Sequence, residues 1–165
     1  MVTIRQAIVS DAPIIQNLAE TIWWPTYSSI LKPDQIRYML DHIYDLNTIT
    51  KQITTGSQCY LVMEENSTPV GFASYSKRSE DPSVHKLHKL YCLPARQGQG
   101  NGRQLLAAVE KRTLEEGNKL LDLNVNKFNP ARSFYEKMGF SVIYEEDIPI
   151  GPYWMNDFVM RKQLS

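Results

Sequence analysis

The sequence predicts a single α+β domain over residues 1–165, and three observations carry that expectation. Short β-rich apolar runs interleave with segments whose apolar residues recur at helical spacing. No linker, repeat or low-complexity tract interrupts them. A glycine-rich turn, Gln97-Gly98-Gln99-Gly100-Asn101-Gly102, stands between a strand-like run and a helix-like one. With 165 residues, 42% of them hydrophobic and 22% charged, the chain has the length and composition for one ordinary core.

Each element has its own signal. Val2 to Val9 is β-rich, and Ser10-Asp11-Ala12-Pro13 supplies a cap and an early-turn proline. A helix follows to about Trp23, with Ile14, Ile15, Leu18 and Ile22 on one side, and Pro25 is expected to break it. Lys32-Pro33-Asp34 starts a second helix carrying Ile36, Met39, Leu40 and Ile43, and a short third one at Asn47–Thr55 stops at Gly56. Ser57–Glu64 and Val70–Ser79 read as a hairpin about the turn Glu65–Pro69. Val84–Leu93 is the next strand, ending at Pro94. The glycine turn then leads into a helix to about Glu116, stopped by Gly117. Lys119–Val125 is a short buried strand, and Asn129-Pro130 opens a helix ending at Gly139. Phe140–Glu145 and Tyr153–Arg161 are the last strands, joined through the turn at Pro149–Pro152.

Composition narrows the function classes. Lys+Arg and Asp+Glu both number 18, a balance that argues against a dedicated nucleic-acid binder. Cys59 and Cys92 stand in apolar contexts without a CxxC pair, so they read as reduced core residues, and neither a disulfide nor a metal site is expected. No apolar run approaches membrane-spanning length, and the first residues lack the layout of a signal peptide. The expectation is a cytoplasmic protein without a membrane partner.

A strand, a glycine-rich turn and a helix start make an anion site. The first helical N–H groups lack internal partners, the helix dipole favours negative charge, and missing β-carbons let a phosphate approach the backbone. Spacing rejects two phosphate motifs. A P-loop needs GxxxxGK followed by Ser or Thr, which is absent, and the dinucleotide fingerprint needs GxGxxG, whereas Arg103 stands where its third glycine would be.

Gln97–Gly102 is similar instead to the Q/R-x-x-G-x-G/A segment of the GCN5-related N-acetyltransferases, the GNAT family. KLYCLP before it and NPARSFYEKMGF after it resemble the same family's flanking motifs, together covering about residues 84–140. More loosely, IGPYWMNDFVM resembles the C-terminal strand of PaiA-like polyamine and small-amine acetyltransferases, and WWPTYSSILKPDQIRYML their substrate-side helices. The resemblance implies αβα layers around a mixed, mostly antiparallel sheet that splays near Val84–Leu93, with acetyl-CoA in the gap. It implies that the backbone of Tyr91, Cys92 and Leu93 pairs with the pantetheine arm and that the amides of Gln97, Gly98, Gln99, Gly100, Asn101, Gly102 and Arg103 hold the pyrophosphate. Arg96 and Arg103 are candidates to add charge there, or are simply solvated. Asn129 caps its helix or touches the coenzyme arm; the family's Asn usually stands at the position of Phe128, one residue earlier.

The resemblance also puts the catalytic acid at Tyr135. When an amine attacks the thioester, a tetrahedral oxyanion forms and collapses with loss of the CoA thiolate, and a phenol of pKa about 10 is protonated at neutral pH and able to donate. Adjacent helical residues point about 100° apart, so Phe134 is expected to pack while Tyr135 faces elsewhere. The general base stays open among His85, His88, Glu145, Asp157 and a water chain. Trp23, Trp24, Tyr27, Tyr75, Tyr153 and Trp154 are candidate faces for an ammonium, or packing residues. The expected reaction is direct acetyl transfer from acetyl-CoA to the primary amine of a small molecule. A peptide acetyltransferase and a non-catalytic acyl-CoA-binding module are the alternatives. A homodimer, common in such folds, is expected to use Trp23 or the C-terminal strand.

Overall fold

The computed structural model describes residues 1–165. Its strands are β1 (Val2–Gln6), β2 (Cys59–Glu65), β3 (Thr68–Lys77), β4 (Val84–Cys92), β5 (Leu120–Asn126), β6 (Ser141–Ile150) and β7 (Tyr153–Gln163). Its helices are α1 (Ala12–Tyr27), α2 (Pro33–Ile43), α3 (Leu46–Thr55), α4 (Asn101–Glu115) and α5 (Ala131–Lys137). The strands form one sheet in the order β1-β2-β3-β4-β5-β7-β6. Every pairing is antiparallel except that of β4 with β5, so the sheet is mixed and mostly antiparallel as expected.

Helices cover both faces. One core gathers Ile15, Ile22 and Trp23 of α1, Ile36 of α2, Ile49 of α3 and Tyr60 and Phe72 of the sheet. The other packs Leu105, Leu106 and Val109 of α4 and Tyr135 of α5 onto Leu121, Leu123 and Met160. Alternation along β5 explains the division, because Leu121, Leu123 and Val125 all point toward α4 and α5.

Three sequence expectations need correcting. Pro25 does not end α1, which runs on to Tyr27. The proline removes one rung, yet Ser28 N–H still donates to Trp24 O at 3.0 Å and the buried Trp23 and Tyr27 hold the last turn against the sheet. Asp11 does not cap α1 with its side chain. Its buried carboxylate accepts two Arg5 N–H bonds at 2.8 Å and the Ile8 N–H at 2.8 Å, and the Arg5 guanidinium holds its pKa below the usual value. Strand β6 runs to Ile150, further than expected, because its outer residues are largely exposed and carry no alternating apolar signal.

The join of β4 to its neighbours sets up everything functional. Pairing with β5 runs from Val84↔Leu120 to Leu87↔Leu123 and stops, although both strands continue. At that point β4 also slips against β3: Ser74 opposes Lys89 and Tyr75 opposes Leu87, leaving His88 as an extra residue. A bulge of this kind bends and twists the strand that carries it. β4 therefore turns away from β5 while staying zipped to β3, and a cleft opens between two strands of one sheet.

Beyond α1 and α2 the same face is held by charge. Asp122 of β5, 1% exposed, accepts from Arg161 Nε at 2.7 Å and Nη2 at 3.0 Å and from Arg78 Nη1 at 3.0 Å. Removing one member of a buried charge group leaves the others uncompensated. Asp122→Ala is therefore expected to lose about 3 kcal/mol of unfolding free energy, read by urea denaturation. A loss within about 0.5 kcal/mol, the range of an ordinary surface change, would show the group to be dispensable.

Candidate active site

A cavity of about 700 Å³ lies in the cleft. Its walls include Leu87–Cys92 of β4, Leu123–Val125 of β5, Gly98, Gly100, Gly102 and Arg103 at the start of α4, Tyr27 at the end of α1, and Asn129 and Tyr135. The volume is that of an ordinary small-molecule pocket.

At one end stands the glycine turn. Gly98 and Gly100 both have φ of +80°, a left-handed conformation that favours glycine, and no atom lies within 4 Å of where a side chain would begin. The first intrahelical bond of α4 is Gln104 N–H to Gly100 O at 3.0 Å, so the amides before it have no helical acceptor. Asn101 is buried at the first helical position with its Nδ2 unpartnered. A bare, donor-rich, open concavity of this kind fits a phosphate group.

The backbone of β4 forms the middle of the cavity. Leu93 N–H donates to Val70 O of β3 at 2.8 Å, and in an antiparallel ladder successive residues alternate which side they bond. Tyr91 therefore faces β3 as well, while Leu90 and Cys92 present their N–H and C=O groups to the side β5 has vacated. Gln97 Nε2 donates to Cys92 O at 3.2 Å and ties the glycine turn to that edge.

Tyr135 also lines the cavity. It is the buried member of its aromatic pair, packed edge-on to Phe134 and Phe140, and Phe134 is half-buried, the reverse of the sequence expectation. Burial raises the Tyr135 phenol pKa well above its ordinary value, with the neighbouring Tyr27 adding to the effect. Tyr27 and Tyr91 share a hydroxyl–hydroxyl bond of 2.9 Å, and burial raises both of their pKa values. Cys92 also lines the cavity, and burial pushes its thiol pKa up to about 11, so it is a thiol at neutral pH.

The other sequence candidates divide. Gln97 joins the cavity wall. Arg96 turns away to Glu65 at 2.7 Å, Gln99 bonds back to Ala95 O at 3.3 Å, and Leu93 packs between the two cores. Asn129 Oδ1 accepts from Ala131 N–H at 2.9 Å, a capping role, and Asn129 also lines the cavity. His85 lies on the α4 face, fully buried between Glu116 and Asn118, and is removed from the cleft. His88 does line the cavity; Ser76 Oγ sits 2.7 Å from its Nε2, and burial with nearby Lys89 and Lys86 lowers its pKa to about 3. Glu145 is exposed and paired with Lys127. Of the six aromatics only Tyr27 reaches the cavity. Trp23, at 3% exposure, is a core residue and cannot serve as the dimer contact expected of it.

Sequence reasoning missed Leu90, Asn124 and Lys89. The polar residues Asp122, Asn124 and Asn126 at every second position of β5 were the available signal for a polar sheet face. Lys89 is 6% exposed, its Nζ donating to Gln58 Oε1 at 2.8 Å between the rings of Tyr44 and Tyr60, and burial lowers its pKa to about 7.

Comparison with known proteins gives this site its class. Residues 28–154 match the model of the acetyltransferase (GNAT) domain family. The PaiA N-acetyltransferase of Thermoplasma acidophilum, solved in complex with coenzyme A, superposes with a TM-score of 0.85 at 26% identity, covering 99% of each chain. A GCN5-related N-acetyltransferase from Rhodopseudomonas palustris has the same fold, with a TM-score of 0.83 at 21% identity over 98% of this chain and 95% of that one. In sequence, YuaI of Bacillus subtilis, an N-acetyltransferase, is 27% identical over 152 residues, 91% of this chain and 86% of that protein. The chain belongs to the GNAT family, and it is an N-acetyltransferase.

The burial of the two thiols yields a direct expectation. Cys59 is half-buried and Cys92 buried with a raised pKa. Iodoacetamide at pH 8 is expected to label Cys59 first and Cys92 slowly, as read by peptide mass spectrometry. Faster labelling of Cys92 would mean an activated thiolate and would reopen a covalent acetyl-cysteine route.

Proposed function

We propose that the protein transfers the acetyl group of acetyl-CoA directly to the primary amine of a small cationic molecule. The observation that carries this reading is the parting of β4 from β5 after Leu87 and Leu123, with the glycine turn and Tyr135 both on the wall of the resulting cavity. Acetyl-CoA as donor supplies a thioester, whose acyl carbon an amine attacks. The chain's own groups serve it in order along the cleft. The free amides at the start of α4 and Arg103 hold the pyrophosphate. The vacated edge of β4 at Leu90 and Cys92 takes the amide-rich arm as if it were a strand, and its N–H groups stand ready for negative charge on the carbonyl oxygen.

The amine nitrogen forms the new C–N bond, and the oxyanion collapses with rupture of the C–S bond. Tyr135 gives its proton to the departing sulfur, and the proton shed by the nitrogen passes through water to restore the phenol. Because burial raises its pKa, the phenol remains protonated through the whole range in which an amine becomes nucleophilic. Direct attack is favoured over an acetyl-enzyme because Cys92, the one thiol on the cavity wall, is held as the thiol and has no partnered base.

Closure of the β6–β7 hairpin onto α2 favours a small acceptor over an open peptide groove. The β6–β7 hairpin tip lies against α2: Gln35 Nε2 donates to Trp154 O at 2.8 Å and the rings of Tyr38 and Tyr153 are 5.3 Å apart. A side chain at Gly151, whose φ is +55°, would overlap the Tyr38 ring.

Release of CoA thiol with a panel of polyamines, amino acids and short peptides tests the reading. Tyr135→Phe is expected to lower kcat about a hundredfold or more while leaving CoA binding in place. For the wild-type enzyme kcat/KM is expected to rise with pH as the amine deprotonates and to show no fall before about pH 10, the ordinary phenol value. Turnover with peptides alone would favour the peptide acetyltransferase. Protection by acetyl-CoA without any thiol release would favour the binding module.

A further inference from the structure

On the sheet face that carries α1 and α2, β5 and β7 place two buried oxygens together with no donor to satisfy them. Asp157 is 5% exposed, and its Oδ2 accepts from Asn124 Nδ2 at 3.2 Å while its Oδ1 has no partner. Asn124 Oδ1 is likewise buried and unpartnered. The two side chains share a face because Asp157 opposes Asn126, two residues along β5 from Asn124. Asn124 lines the cavity, so Asp157 stands one hydrogen bond behind its wall. The Asp157 charge also weighs on the phenol of Tyr27, another wall residue.

Buried polar atoms in folded proteins are rarely left unmatched, so a pair of adjacent orphaned acceptors marks a missing donor. Beside a carboxylate the fitting donor is a cation with several N–H groups. The chain bonds none to it: Asn124 is the only side chain hydrogen-bonded to the Asp157 carboxylate, and the half-buried Lys86, whose charge acts on both Asp157 and Glu146, forms no ion pair with either. The acidic character continues outward, because Glu146 of β6 is the register partner of Asp157 and forms no ion pair of its own. Partners across antiparallel strands have side chains about 5 Å apart. Asn124, Asp157 and Glu146 thus form a row running from the cavity across three strands.

We propose that this row is the acceptor subsite for an alkyl diamine or polyamine, with Asp157 and Asn124 receiving the N–H groups of the reacting ammonium and Glu146 facing the next cation along. The proposal rests on the reading of the protein as a small-amine acetyltransferase and specifies how the amine is recognised. It places the amine on the face opposite α4, so that donor and acceptor enter the cleft from different sides. A neutral alcohol or amide lacks the charge this row complements.

Isothermal titration of 1,4-diaminobutane into the protein saturated with CoA tests the subsite without requiring turnover. Asp157→Asn is expected to weaken binding about thirtyfold and Asn124→Ala about tenfold, the scale of lost charge-assisted hydrogen bonds. Glu146→Gln is expected to weaken the diamine about threefold and to leave n-butylamine unchanged, as suits a more exposed charge. CoA affinity should stay within about twofold in all three variants, since none lies at the donor end. Should Asp157→Asn fail to fold, Asn124→Ala carries the test. Diamine binding that is absent in the wild type, or equal in wild type and both inner variants, overturns the subsite. Binding as expected with no thiol release from any amine overturns the acetylation reading and leaves the subsite standing.

Discussion

A strand in the middle of a sheet normally has both edges satisfied, and β4 is the exception on which this structure turns. Backbone N–H and C=O groups buried without partners are costly, so a central strand does not abandon a neighbour unless something else receives its hydrogen bonds. Here the ladder with β5 stops at Leu87↔Leu123, while β4 keeps its pairing with β3 to Gly71↔Cys92 and β5 keeps its pairing with β7 to Asn126↔Asp157. The two halves of the sheet are each complete, and the gap between them is bounded by strand edges. What fills that gap must look like a strand to β4. An amide-bearing coenzyme arm satisfies that demand, which is why the cleft and the glycine turn belong to one argument.

The environment around the cleft is built to keep protons in place. Tyr27, Tyr91 and Tyr135 form a buried cluster of phenols whose pKa values are all raised by burial, and Cys92 beside them is a thiol for the same reason. His88 is pushed the other way and is neutral at physiological pH, its ring fixed against Ser76. The start of α4 is thus rich in free backbone donors and the wall around Tyr135 in neutral hydroxyls. A buried carboxylate oxygen without a donor lies on the acceptor side, at Asp157. Such a gradient separates the three demands of the reaction: holding phosphate, donating to a departing sulfur, and attracting a cation.

Much of this was legible in the sequence, for identifiable reasons. The glycine turn announced itself because positive φ and open backbone demand glycine, and Gly98 and Gly100 both have that conformation. Elements with a clear period were found within a few residues, and Tyr135 was reached through its motif. The bulge at His88 was invisible, since an extra residue in a strand leaves no compositional mark. For the same reason the backbone assignment at Tyr91 to Leu93 could not be resolved to Leu90 and Cys92 until the register was known. Pro25 misled because its local cost is real but is outweighed by the burial of Trp23 and Tyr27. The roles offered for His85 and Trp23 failed on facing and burial, which a single sequence shows poorly. In the sequence Asp157 is one acid among several; its burial and unpartnered oxygen separate it from Glu145, which is exposed and paired with Lys127.

Amide hydrogen exchange, compared with and without acetyl-CoA, tests the open edge of β4 most directly. Slowed exchange at Leu90 and Cys92, together with the amides from Gly98 to Arg103, is the predicted result, with Tyr91 and Leu93 changed far less because β3 already binds them. Protection confined to other strands, or equal protection of all four β4 amides, would contradict the claim that the coenzyme completes the sheet along this edge.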